Sequence, residues 1–178
     1  MAGQESAREA IQAMFELYAN DLYRYVRLTL GGHEAMDVVQ EVFLRAFRSW
    51  DTFRHDANEK TWLFTIARNY IFDLLRKKRT ETNFLQNYDP PFAKDETATV
   101  ETFIVLEQAL THLKKTYRHV FVLRHVENLT VQETAQVLGW SESKVRTTDH
   151  RAIGQLRKLL DPGAKEVLIH GETRPGHH

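Results

Sequence analysis

The 178-residue chain contains no cysteine, which excludes disulfides and thiolate metal sites and fits a reducing compartment. It also lacks any apolar run approaching the roughly 18 residues that a membrane-spanning helix needs. The opening MAGQESAREA has neither the basic nor the apolar block of a signal peptide, so a cytoplasmic protein without membrane insertion is expected. There is no HExxH, no glycine-rich phosphate loop and no nucleophile-base-acid set, so the expectation is a non-enzyme without a cofactor. Nine histidines are present; His112 and His119 could share a helix face, and HGETRPGHH could take up a metal adventitiously. Net charge is missing too, since 24 Lys and Arg balance 24 Asp and Glu. That balance hides a pattern. Residues 1–79 hold 12 basic and 11 acidic side chains, residues 80–106 hold 1 and 5, residues 107–159 hold 9 and 5, and residues 160–178 hold 2 and 3. One basic module and one acidic stretch therefore cancel.

What is present is helical periodicity. Ile11, Met14, Phe15, Tyr18, Leu22, Tyr25 and Val26 recur at helical spacing, and Gly31-Gly32 ends that helix. A second helix is predicted from about Glu34 to Ser49 and a third from about Lys60 to Arg79, with the polar turn DTFRHDANE between them. The stretch TETNFLQNYDPPFAKDETAT, with adjacent prolines and no sustained period, reads as a linker. Helical pattern resumes near Val100, continues through LEQALTHLKKTYRHVFVLRHVENL and gives two further short segments split by Gly139. No strand-like alternation is long enough to count. The predicted fold class is all-α: two small helical domains, residues 1–79 and 100–160, joined by a flexible linker at 80–99 and followed by a tail at 161–178.

The second domain carries a helix-turn-helix pattern. Thr130 and Glu133 have capping-box spacing, Gly139 supplies a bend, Ser141 suits the N-cap of a second helix, and small Ala135 sits where two helices would cross. On that second helix Val145, Ala152, Leu156 and Leu159 share one face. Opposite them stand Ser143, Arg146, Thr147, His150, Arg151, Arg157 and Lys158. A donor-rich cationic helix face is what a major-groove reader needs, although a solvated face on a helical hairpin has the same composition.

In DVVQEVFLRAF, residues 37–47, an apolar stripe of Val39, Val42, Phe43, Ala46 and Phe47, continued by Trp50, faces a core. On the opposite face Asp37, Gln40, Glu41 and Arg48 surround Leu44, a leucine that solvation alone does not require.

Four blocks, DVVQEVFLRAF, TWLFTIARNYIFDLLRKKR, the segment from Leu110 to Thr130 and the helix-turn-helix, together resemble the extracytoplasmic-function sigma factors, the small two-domain class of the bacterial sigma-70 family. The likeness spans roughly residues 10–160, and NEKTWLFTIAR and SESKVRTTDHR look like its SigX-type members. The resemblance implies that the chain binds RNA polymerase core and directs initiation at promoters with −10 and −35 elements. It implies docking of Asp37, Gln40, Glu41 and Leu44 on the clamp coiled coil of core, a further contact with the flap, and an anti-sigma partner. It matches the loop Asp51–Glu59 to one that captures a flipped −10 base, where His55, Asp56, Asn58 and Lys60 offer hydrogen bonds, with a plain surface turn as the alternative. Trp62 could stack on unpaired bases or simply be core. Arg68, Asn69, Arg76 and Lys77 are implied to face −10 DNA, and Ser143, Lys144, Arg146, Thr147, His150 and Arg151 to read −35. Thr148 and Asp149 depart from the family pattern of an arginine and an apolar residue, so no −35 sequence is carried over. The rival reading is a dimeric helix-turn-helix regulator on a palindromic site.

Overall fold

The computed structural model describes residues 2–54, 57–82 and 100–161. Helix α1, Ala2–Leu30, stops where Gly31 adopts φ +110 and its N–H closes on the Arg27 carbonyl at 3.0 Å. Helix α2, Ala35–Arg48, ends as the Ser49 hydroxyl donates to the Arg45 carbonyl at 2.7 Å, competing with the next helical bond, and a 3-10 turn, Trp50–Thr52, follows. Helix α3, Glu59–Thr82, starts where the Asn58 side-chain oxygen accepts from the Thr61 N–H at 3.1 Å, a side-chain N-cap. These three helices pack on one another around Met14, Leu22, Tyr25, Val26, Val42, Phe64 and Ile71, all 1% exposed or less. Each such side chain contributes about 1.5–3 kcal/mol by leaving water.

Two members of the expected core stripes lie at the surface instead: Phe15 is 46% exposed and Phe47 is 41% exposed. Val38 and Ala35 are the buried members of α2 on the other flank of the stripe. The apolar arc of α2, from Ala35 through Phe43 to Leu44 and Phe47, is wider than one buried face, and its far edge is left outside.

The second half is broken where one helix is expected. Helix α4, Val100–Thr111, and helix α5, Lys115–Phe121, are separated by a turn at residues 112–114. The Thr111 hydroxyl bonds back to the Gln108 carbonyl at 2.6 Å and the Arg118 guanidinium takes the Thr111 carbonyl at 2.9 Å, so the last turn is satisfied by side chains. A consequence is that His112 lies exposed in the turn while His119 is buried at 1% exposure on α5, so the two do not share a face. The histidine-rich end of the chain lies outside the described residues.

After α5 the chain makes a π-helical turn, Val122–Val126, with the Glu127 N–H on the Val122 carbonyl at 2.9 Å. Asn128 then takes φ 57, the left-handed region that asparagine tolerates, and the Arg124 guanidinium holds the Leu129 carbonyl. This reversal delivers the chain to helix α6, Val131–Leu138, and helix α7, Glu142–Leu160. No strand occurs among the described residues, and the architecture is two helical domains.

The two sets of helices pack against each other, chiefly α3 on α6 and α1 on α5 and the π-turn. The Tyr25 hydroxyl of α1 and His119 Nδ1 share a buried hydrogen bond of 2.8 Å. The Arg24 guanidinium forks onto both carboxylate oxygens of Glu127 at 2.9 and 2.8 Å, and that of Arg27 onto Glu107 at 3.0 and 3.2 Å.

Candidate nucleic-acid and protein interfaces

The helix-turn-helix follows from its caps. The Thr130 hydroxyl accepts from the Glu133 N–H at 3.1 Å while the Glu133 carboxylate accepts from the Thr130 N–H at 2.7 Å, completing the capping box. Gly139 ends α6 at φ 66, ψ 36, and the Ser141 hydroxyl accepts from the Lys144 N–H at 3.2 Å to begin α7. Val145, Ala152 and Leu156 are buried, as is Ala135 of α6. Ser143, Lys144, Arg146, Thr147, His150 and Arg151 are all exposed along one side of α7, as are Arg157 and Lys158. Two of these cations are positioned by neighbours: Arg146 bonds Glu142 at 2.7 Å, and the Lys144 ammonium lies 3.9 Å from the Trp140 ring centroid. Thr148 and Asp149 point inward. Thr148 is buried, and the Asp149 carboxylate meets His125 Nε2 at 2.7 Å and Arg124 Nε at 3.8 Å. These departures from the family pattern therefore serve the attachment of α7 to the π-turn, and the outward face is unaltered by them.

On α2, Asp37, Gln40 and Leu44 are exposed, Leu44 at 50%, and Glu41 is half-buried. Glu41 is already paired with Arg45 at 2.9 Å, whose guanidinium covers the Tyr70 ring at 4.3 Å, so the carboxylate is held rigidly. Beside Leu44 runs a groove of about 520 Å3 between α1 and α2, walled by Ile11, Phe15, Phe43 and Phe47 and rimmed by Arg8, Gln12 and Gln40. Its aromatic wall was missed by periodicity, which assigned Phe15 and Phe47 to the core; the available signal was Phe43, Leu44 and Phe47 within one turn.

The residues matched to −10 DNA divide. Arg76 and Lys77 are exposed on the outer part of α3, Arg76 paired with Asp73, and Asn69 is exposed as well. Asn58, Lys60, Trp62 and Arg68 face the second domain. Asn58 Nδ2 donates to Glu133 at 3.4 Å, the Lys60 ammonium to the Glu127 carbonyl at 3.1 Å, and Arg68 to the Leu138 carbonyl at 2.9 Å. Arg68 also lies over the Phe72 ring at 4.5 Å and bonds Asn69 at 2.8 Å. Trp62 is half-buried, its ring 4.5 Å from that of Phe53 and 6.2 Å from that of Trp50, so it roofs an aromatic cluster while one side meets a cleft. His55 and Asp56 lie outside the described residues.

Burial sets the electrostatics between the domains. It pushes the Glu127 carboxyl up, against the opposing pull of Arg24, and the same pair raises Arg24. It also drives the His119 imidazole down to about 3, helped by the charges of Arg118, Arg68 and Lys115. His119 is therefore neutral and shares a hydrogen bond with Tyr25, whose phenol burial raises.

A two-domain all-helical chain with a capped helix-turn-helix, a basic outward helix and a separate exposed polar-apolar face has the architecture of a helix-turn-helix protein. The comparisons give the family. Residues 14–81 match Sigma-70 region 2 and residues 103–156 match Sigma-70, region 4. The chain is 32% identical over 177 residues to the ECF RNA polymerase sigma factor SigX of Bacillus subtilis, covering 93% of this chain and 91% of that one. It is 32% identical over 173 residues to the RNA polymerase sigma factor YlaC of the same organism, covering 91% and 98%. The fold is shared with the sigma factor RpoE of Bartonella quintana, solved with the anti-sigma factor NepR, at TM-score 0.72 and 23% identity over 85% of this chain and 97% of that one. The chain belongs to the extracytoplasmic-function sigma factors of the sigma-70 family. Its function is promoter-directed transcription initiation with RNA polymerase, and the dimeric regulator is not favoured.

Proposed function

We propose that the three faces divide this function as follows. Asp37, Gln40, Glu41 and Leu44 on α2 dock on the clamp coiled coil of core polymerase. Carboxylates and an amide on a rigid helix suit arginines of a partner helix, and Leu44 supplies apolar area at the centre. Asn58, Lys60, Trp62, Arg68, Asn69, Arg76 and Lys77, together with His55 and Asp56, engage the −10 element. Ser143, Lys144, Arg146, Thr147, His150 and Arg151 read the −35 element while this domain meets the polymerase flap. Residues 1–79 and 100–160 are the working domains, 80–99 the linker between them. The protein acts by binding, without catalysis, in the cytoplasm, and an anti-sigma factor restrains it, as NepR binds RpoE.

The observation that carries the docking assignment is Leu44, half exposed on α2 beside Asp37, Gln40 and Glu41 and at the edge of the apolar groove walled by Phe43 and Phe47. The test is co-elution with sigma-free bacterial core polymerase. Asp37→Ala, Gln40→Ala and Glu41→Ala together should abolish submicromolar binding while leaving helix content unchanged. Equal affinity of wild type and triple variant would remove α2 as the docking face.

A further inference from the structure

Helix α2 packs chiefly on α1 and α3, and its outward side is left uncovered. That side carries Met36, Asp37, Gln40, Leu44, Phe47 and Arg48, all exposed, with Met36 at 56%. Their order has a symmetry. At about 100° per residue, Gln40 and Leu44 straddle the midline of this side, Asp37 and Arg48 share one flank, and Met36 and Phe47 share the other, where Phe47 walls the groove with α1. Each flank thus joins a residue near the start of α2 to one near its end, about a common midpoint close to Val42. Glu41 and Arg45 are paired with each other, whereas Asp37 and Arg48 have no ionic partner among the described residues.

A two-fold axis across the helix at that midpoint sets Asp37 of one copy against Arg48 of a second, and Met36 against Phe47 at the mouth of the groove, each contact occurring twice. Gln40 and Leu44 then meet in the middle. Parallel pairing would instead set Asp37 on Asp37 and Arg48 on Arg48, so the charges admit only the antiparallel direction. With zero formal net charge, two copies approach without long-range repulsion. We infer that a second copy of this chain occupies α2, in an antiparallel two-fold pair that withholds the docking face from polymerase. The pairing uses no residue of α6 or α7, and free chain in excess of core is stored as a dimer until core competes it apart. The withholding, though not the pairing, rests on the assignment of α2 to polymerase docking.

Sedimentation equilibrium of the full chain from about 1 µM to about 1 mM tests the pair, and the absence of cysteine means that a dimer owes nothing to disulfides. The wild type should show a reversible monomer-dimer equilibrium. Asp37→Arg and Arg48→Glu, each checked for helix content, turn both attractive pairs repulsive and should each weaken self-association at least about tenfold. Mixed in equal amounts, the two variants are complementary and should recover dimer to within about threefold of the wild type. Met36→Lys, which leaves the charge pairs in place, should also weaken the dimer. A wild type monomeric throughout overturns the pair, as do reversals without effect or a mixture that recovers nothing. Adding core polymerase should release monomer into the core complex; core carrying an intact dimer overturns the withholding. Unchanged core affinity in the Asp37, Gln40 and Glu41 triple variant strikes the docking assignment instead, and sedimentation of the chain alone still decides the pair.

Discussion

Acidification should loosen the packing of the two domains, and His119 sets the size of the effect. Its imidazole is buried between Tyr25 of α1 and Phe72 of α3, with ring centroids 5.7 and 5.0 Å away. The charged groups bearing on it are Arg118 and Lys115 of its own helix and Arg68 of α3, all cations. Burial first, and these charges second, hold it at about 3 against an ordinary 6.5. The closed form therefore takes no proton above roughly pH 3, whereas a separated domain takes one below 6.5. The stabilisation is complete above pH 6.5 and is lost progressively as pH falls toward 3. At about 1.4 kcal/mol per pH unit, going from pH 7 to pH 5 costs at most about 2 kcal/mol, or roughly 25-fold in the closed-to-open ratio, since Arg118 and Lys115 stay beside the ring in the separated domain. Glu127, pushed up by burial, titrates in the opposite sense, so the wild type must be compared with His119→Asn, which keeps an acceptor for Tyr25 without a titrating ring. Single-molecule energy transfer between dyes at Arg48→Cys and Gln155→Cys, exposed positions on α2 and α7, counts the two populations. Less than a twofold difference between the two proteins over pH 7 to 5 would refute the assignment of this linkage to His119.

Thr130→Ala removes one half of the capping box and should lower stability by about 1 kcal/mol in denaturant unfolding; an unchanged midpoint would mean the box is idle. Leu138→Ala, at a position 1% exposed, should cost about 2–5 kcal/mol by the same measurement, since the void has no solvent to fill it. Arg146→Ala with Arg151→Ala should lower promoter-specific transcription and reduce the slope of log affinity against log salt by about 1.8 if both meet phosphate, with core co-elution unchanged. A slope equal to that of the wild type would limit these arginines to base contacts or none.

Local rules made much of this structure legible in advance. Thr130, Glu133, Gly139 and Ser141 act within a few residues of one another, so the helix-turn-helix and the exposure of Arg146, Thr147, His150 and Arg151 could be read from spacing alone. The DVVQE face was legible for the same reason, as the reverse of a buried stripe. Phe15 and Phe47 were misplaced because periodicity gives a side chain's direction but not whether a neighbour covers it. The break at residues 112–114 depends on Arg118 reaching back to the Thr111 carbonyl, a side-chain contact that an uninterrupted helical pattern does not record. Least legible was the interface between the domains. Tyr25 and His119 are 94 residues apart and Arg24 and Glu127 are 103 apart, and each alone reads as an ordinary core or surface residue. For the same reason Lys60 and Arg68 read as DNA ligands without any hint that the chain occupies them itself.

The inward turn of Thr148 and Asp149 separates address from architecture. The residues that fasten α7 and those that face outward from it are different residues on different sides, joined only through the helix backbone. Exposed substitutions of this kind usually shift stability by no more than about 0.5 kcal/mol. On the −35 role proposed for Thr147, His150 and Arg151, a duplicated copy of the chain would drift toward new promoters at these positions while its fastening stays constant, and an engineer would rewrite its target by changing letters that the fold never reads.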